Sequence, residues 1–161
     1  MDHRQIIRSL IVFSVYFFSF LPNILAQSEN NDGQIRETLQ YFFDAFAERD
    51  TTAMWEVTER GTRLVVTSSD AEGKPVMLAI PMTDFMKRVA REGPPIREEI
   101  WDHEIRVNDN LATAWVSYNL FVDDKIDHCG EDTFQLFRGK ERWIIVAIAD
   151  TQRRHNCELP Q

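Results

Sequence analysis

The stretch Leu111–Cys157, LATAWVSYNLFVDDKIDHCGEDTFQLFRGKERWIIVAIADTQRRHNC, decides the architecture of this 161-residue chain. Its β-branched and aromatic residues fall into three long runs, Leu111–Val122, Cys129–Arg138 and Arg142–Thr151. Short turn segments separate them, the DDK turn near Asp124 and Gly139-Lys140-Glu141, so consecutive strands must be antiparallel neighbours. A fourth run, Ile96–Val107, enters through Asn108-Asp109-Asn110. Both cysteines of the chain, Cys129 and Cys157, lie inside the stretch.

Upstream, the periodicity changes from two to 3.6. Ile35, Leu39, Phe42, Phe43 and Phe46 share one face of a helix that Asp32 can cap and that ends near Arg49. Asp50 or Thr51 can cap a shorter helix bearing Met54, Trp55 and Val57. Beyond Gly61, Arg63–Thr67 and Pro75–Ile80 read as a hairpin, and Met82, Phe85, Met86 and Val89 space a third helix that stops at Gly93-Pro94-Pro95. Helices followed by a meander of strands define an α+β domain in which about three helices cover one face of a bent antiparallel sheet.

The first 26 residues have Arg4 and Arg8, an apolar run from Leu10 to Leu21 and a small residue, Ala26, before Gln27. This is the pattern of a secretory signal peptide. The run is about 12 residues where a membrane span needs ~20, and no cysteine near Ala26 offers a lipid anchor. The chain therefore divides into a signal peptide (1–26), a disordered leader (27–33), one domain (34–157) and a tail (158–161). The expected location is secreted or periplasmic, with no stable membrane anchor after cleavage. Loss of Asp2, Arg4 and Arg8 takes the net charge from −8 to −9, which disfavours nucleic acid and anionic membranes as partners. In an oxidising compartment the two thiols pair, and Cys129–Cys157 is the one intramolecular choice. His128, Cys129, His155 and Cys157 lack the paired short-loop spacing of a zinc finger, so neither a metal nor another cofactor is expected.

The order helix, helix, hairpin, helix, long meander resembles the nuclear transport factor 2-like superfamily, also called SnoaL-like or ketosteroid-isomerase-like, a cone-shaped fold. Ile100-Trp101-Asp102, Leu111-Ala112, Trp115, Tyr118, His128-Cys129-Gly130, Asp132, Phe134-Gln135-Leu136, Trp143, Asp150-Thr151, Arg153 and Cys157 carry a closer likeness to exported, uncharacterised bacterial members. The resemblance implies a pocket inside the cone and one of several activities, isomerase, dehydratase, cyclase or plain binding. Ketosteroid isomerases place a tyrosine on the first helix and a carboxylate on an early strand. Here those places hold Phe42 and the carboxylate-free Val65–Thr67, and only Asp132 matches a third role, a late carboxyl group.

Strand parity proposes the pocket. In Leu111–Val122 the even positions, Val116 and Tyr118 among them, form the more apolar face and are assigned to the helix side. Asp132 shares the inward set with Phe134 and Leu136. If Gly139-Lys140-Glu141 is a three-residue loop, Asp132 pairs with Ile148 and Asp150 with Gly130, which makes the two carboxylates diagonal neighbours roughly 5 to 8 Å apart. A one-residue slip would send Asp150 to the other face. His103 alternates with Trp101, Ile105 and Val107. The candidate acid/base residues are thus Asp132, Asp150, Tyr118 and His103, or the carboxylates simply pair with Arg138 and Arg153. Phe42, Phe46, Trp55, Val116, Phe134 and Ile148 supply apolar lining.

These readings lead to an exported domain that binds a small apolar or aromatic molecule. The alternatives are a cofactor-independent isomerase, dehydratase or cyclase using the carboxylates, and a module for dimerisation or partner contact through the sheet. Trp115, on the mixed odd face of its strand, is the candidate for a homodimer contact.

Overall fold

The computed structural model describes residues 21–160, with side chains from Asn30 onward; most of the expected signal peptide lies outside the described residues. The chain divides into two units, Met1–Gly33 and Gln34–Gln161. The described part of the first unit is helical, the opening of α1 (Leu21–Ala47). This helix passes through 27–33, where the sequence suggests an irregular leader. No glycine or proline interrupts residues 23–32, so Asp32 lies within the helix instead of capping it. Among the described residues no helix is long and apolar enough to cross a membrane.

The second unit holds the remaining elements: α2 (Thr51–Glu56), β1 (Arg63–Ser69), β2 (Pro75–Pro81), α3 (Met82–Val89), β3 (Ile96–Asn108), β4 (Leu111–Val122), β5 (Lys125–Arg138) and β6 (Trp143–Thr151). Asp50 caps α2, its Oδ1 accepting from the Thr52 and Ala53 amides at 3.0 Å each. Arg49, in the left-handed conformation at φ 58°, donates to the carbonyls of Val89, Arg91 and Pro94 and so ties the end of α1 to the end of α3.

One curved, unclosed sheet takes the strands in the order β2-β1-β6-β5-β4-β3. The expected antiparallel meander is present, with one addition: β1 runs parallel to β6, Leu64 opposite Ile148 and Val66 opposite Asp150. The sheet is thereby mixed, and the N-terminal hairpin extends it. The apolar stripe of α1, with Met54, Met82, Met86 and Val89 from the other helices, packs on the face that presents Ala112, Ala114, Val116, Phe134, Leu136 and Ile145. The parity assigned to β4 matches this burial, since Ala112, Ala114, Val116 and Tyr118 are all buried.

The turn between β4 and β5 is tighter than expected. Val122 pairs with Lys125 across Asp123-Asp124, both at positive φ (52° and 58°), the geometry of a two-residue turn that suits short polar side chains. Thus β5 begins at Lys125, four residues before Cys129. Between β5 and β6 the loop is longer than three residues, because Arg138 pairs with Trp143, not Arg142.

The sulfurs of Cys129 and Cys157 lie at disulfide distance, 2.11 Å. Beside them the Asn119 side chain donates to the Glu158 carbonyl at 2.8 Å, so the tail is held at two points. The closed loop spans 28 residues. Reduction is expected to lower unfolding stability by roughly 3.5 kcal/mol, the chain-entropy value for a loop of this length. Urea unfolding with and without reductant reads this, and coincident midpoints would contradict it.

Candidate functional site

A cavity of about 120 Å³ lies between the helices and the sheet. Its apolar wall combines Phe42, Phe43 and Phe46 of α1, Phe85 of α3, and Phe134 and Ile148 of the sheet. The rings are ordered against one another. Phe43 meets Phe42 and Phe134 edge to face at centroid distances of 5.3 and 6.0 Å, and Phe46 stacks on Phe85 at 6.0 Å. At the other end the lining turns polar: Glu98, His128, Asp132, Asp150 and Gln152.

Asp132 and Asp150 face each other as a direct cross-strand pair. The diagonal arrangement expected from a three-residue loop is corrected by two residues, and the cause is local. The longer loop shifts the pairing by one. An irregularity after Gln135, where Gln135 faces Ala147 but Leu136 faces Ile145, leaves Val146 unpaired and shifts it by one more. Two single shifts restore parity, so both carboxyl groups stay on the inner face, 4% and 9% exposed.

The third carboxyl group was not among the candidates. Glu98 hydrogen-bonds the Asp132 side chain. Two carboxyl groups can do this only when one keeps its proton. Burial, the Glu98 charge and that hydrogen bond push Asp132 well above the usual carboxyl range, so Asp132 is the donor and Glu98 the acceptor. Burial also raises Glu98, to about 7, with the Asp132 hydrogen bond opposing the rise. Asp150 is raised to about 6, again chiefly by burial, partly offset by the Gln152 side chain. Gln152 Nε2 donates to Asp150 Oδ2 at 3.3 Å, while Asp150 Oδ1, fully buried, has no hydrogen-bond partner.

Glu98 reaches this position because β3 changes parity. Ile96, Glu98 and Ile100 face Val122, Leu120 and Tyr118, but the register slips between Trp101 and Glu104, with Asp102 at φ 53°, and afterwards Ile105 and Val107 are the inward residues. His103 sits in that slip, half-buried, its carbonyl accepting from Arg36 at 3.4 Å. It does not line the cavity. The slip itself is written in the sequence, where isoleucines at even positions 96 and 100 give way to apolar residues at odd positions 105 and 107.

Of the other sequence candidates, Phe42, Phe46, Phe134 and Ile148 line the cavity, and Trp55 and Val116 do not. Trp55 is half-buried beneath the Arg60 guanidinium, 5.0 Å from the ring centroid. Tyr118 lies behind the polar end, where its hydroxyl donates to the Thr151 carbonyl at 2.9 Å and its ring meets His128 edge to face at 5.8 Å. Burial, then Asp150, raises the phenol further, so Tyr118 is a proton-retaining brace for β6. Neither carboxylate forms the alternative pair with Arg138 or Arg153 among the ion pairs of the described residues; the Arg138 guanidinium instead lies 5.3 Å from the Trp143 ring centroid. Trp115 is 49% exposed and donates from Nε1 to Glu131 Oε2 at 3.1 Å.

Comparison with known proteins places this geometry. No curated protein matches the chain in sequence. Many solved structures match in fold. An uncharacterised nuclear transport factor 2-like protein of Shewanella baltica superposes with TM-score 0.58 at 15% identity, covering 77% of this chain and 94% of its own. One from Novosphingobium aromaticivorans, described as having a cystatin-like fold, gives 0.65 at 13% identity over 86% and 93%. A Streptomyces avermitilis protein described as a "putative dehydratase" of the same superfamily gives 0.59 at 13% identity over 78% and 98%. A family model described as "Putative lumazine-binding" matches residues 30–149. The chain belongs to that family and has the nuclear transport factor 2-like fold.

Proposed function

We propose that this chain is an exported domain that binds a small, largely apolar molecule in the phenylalanine-lined cavity, anchored at its carboxyl end. Asp150 carries the reading: the residue lines the cavity and its Oδ1 is buried without a hydrogen-bond partner, which costs roughly 1 to 3 kcal/mol that a ligand donor would recover. The reference to lumazine in the family description favours small-molecule binding. The size favours a one-ring compound, since an engineered apolar cavity of ~150 Å³ holds benzene. Export is supported by the basic-then-apolar start of the chain and by the cysteine pair, which needs an oxidising compartment.

A second reading, acid/base catalysis, has its own support. Asp132 holds a proton beside Glu98 and Asp150, whose raised values lie near the range at which carboxyl groups exchange protons at neutral pH, and one structural neighbour is described as a dehydratase. One experiment separates the two. With 2-hydroxycyclopentanone in D2O, whose hydroxyl can donate to a carboxylate, a binding domain shows a rise in melting temperature without deuterium uptake, and a catalyst shows uptake at the α-carbon. Ile148→Phe, which fills part of the cavity, is expected to remove the thermal shift. A shift that survives this substitution would put the ligand elsewhere.

Self-association is the remaining proposal, through the outer face where Leu111, Trp115 and Phe137 are each about half exposed. Light scattering over a concentration series is expected to show a dimer that Trp115→Glu dissociates. A constant monomeric mass would reject it.

A further inference from the structure

We infer that the cavity selects a compact primary amine, bound as its ammonium, with the three N–H donors directed at Asp150, Glu98 and Asp132 and the hydrocarbon body among the phenylalanines. This rests on the small-molecule reading above and names the ligand class for that site.

The argument begins with the charges that face the cavity. Three carboxyl groups arrive from three strands, Glu98 on β3, Asp132 on β5 and Asp150 on β6. The helices contribute only phenylalanine rings to the wall, and among the described residues no lysine or arginine lines it. His128, the one basic side chain there, is hydrogen-bonded at Nδ1 to Asp127 at 2.7 Å, and Arg154 holds the other Asp127 oxygen. The Tyr118 hydroxyl and the Thr67 hydroxyl are spent on the carbonyls of Thr151 and Asp150. An anionic ligand would therefore meet like charge at Glu98 and Asp150, with the Gln152 amide, already donating to Asp150, and His128 among the other polar contacts. A neutral one would leave the ionised carboxylates desolvated without compensation.

An ammonium group fits the inventory. It carries three donors and no acceptor. Asp150 Oδ1 has no well-formed hydrogen bond, and Glu98 and Asp132 share one proton where two oxygens compete for it. A metal ion is a poorer match, because among the described residues no group of three or more His, Cys, Asp or Glu side chains is disposed to ligate one. An ammonium reaches its oxygens through hydrogen bonds of about 2.8 Å, longer than metal–oxygen bonds of ~2.0 to 2.6 Å, and so accepts a wider spread of carboxyl groups.

The test compares cyclopentylammonium, cyclopentanol and cyclopentanecarboxylate by calorimetry on the mature protein. The ammonium is expected to bind on the order of tenfold or more tighter than the alcohol at pH 7.5, and the carboxylate not measurably. Ammonium affinity is expected to fall between pH 7.5 and 5, as protons return to Glu98 and Asp150, while alcohol affinity stays flat. Asp150→Asn, with Glu98→Gln as the second variant, is expected to erase the preference for the ammonium and leave alcohol binding in place. Equal binding of alcohol and ammonium, or a preference unchanged in both variants, overturns the ammonium assignment and leaves the small-molecule reading intact. Failure of all three compounds overturns both.

Discussion

Gly130→Ala is expected to destabilise the fold by at least about 4 kcal/mol, or to leave no folded protein, although it adds one methyl group. A Cβ at Gly130 would lie 1.8 Å from the Thr151 carbonyl oxygen and 2.8 Å from both its carbonyl carbon and Oγ1. Backbone atoms cannot swing aside as a long side chain does, so the strands must separate, and the cost exceeds the ~1 to 3 kcal/mol usual for overpacking a core. The approach is close because Thr151 is gripped from two sides. Its carbonyl accepts from the Tyr118 hydroxyl, and its Oγ1 accepts from the Glu131 amide at 2.9 Å. Glu131 and Thr151 flank Asp132 and Asp150, so a folded remnant of this variant is also expected to lose ligand binding. Gly61→Ala is the matched control, with nothing within 4 Å of its Cβ, and should shift the urea midpoint little. A Gly130→Ala protein within 1 kcal/mol of its parent would show that β5 and β6 part more easily than this packing allows.

Much of the domain was legible because the relevant signals are local. The period of α1, the alternation in β4 and the short turns place helices, strands and the helix-facing side directly from residue types. The pairing of β1 with β6 was not legible, since it joins residues about 80 positions apart and depends on where the hairpin docks. Site geometry failed at irregularities. A single parity carried through β3 places Trp101 and His103 inward and Glu98 outward, and one slipped residue at Asp102 reverses this for the first half of the strand. The β5–β6 pair shows the opposite case, in which two slips cancel: Asp132 and Asp150 share a face although the loop length assumed for them was too short. Face assignments survive an even number of irregularities, whereas partner assignments survive none. For that reason Asp132 and Asp150 could be proposed from sequence as neighbours, and Glu98, which gives the site its shared proton, could not.

Burial of the three carboxyl groups is expected to make the fold less stable at neutral pH than in mild acid, by about 4 kcal/mol between pH 4.5 and 7.5. A carboxyl group whose value is raised on folding binds its proton more tightly in the native state, so unfolding releases protons and stability falls as pH rises. For Asp150 the fall begins near the unfolded value of 3.8 and levels off above about 6, and for Glu98 it runs from 4.5 to about 7. Asp132, held higher still, extends it in the same direction. The Asp150 and Glu98 shifts alone correspond to about 3 kcal/mol each. Partial access to water and proton sharing reduce their sum to the smaller figure given. Asp127 acts oppositely, lowered by its hydrogen bond to His128 and then by Arg154, but its contribution is lost only below the unfolded value of 3.8 and so lies outside this window. Chemical unfolding at half-unit pH steps measures the slope, and a profile flat or rising from pH 4.5 to 7.5 would contradict the buried cluster. Asp132→Asn is expected to make the profile shallower and to be more stable than the parent at pH 7.5 by about 1 to 2 kcal/mol, because the amide donates to Glu98 without having to take up a proton on folding. A substitution that stabilises the fold at neutral pH while removing the proton shared with Glu98 marks the three carboxyl groups as belonging to the site's chemistry, since packing alone would be better served by the amide.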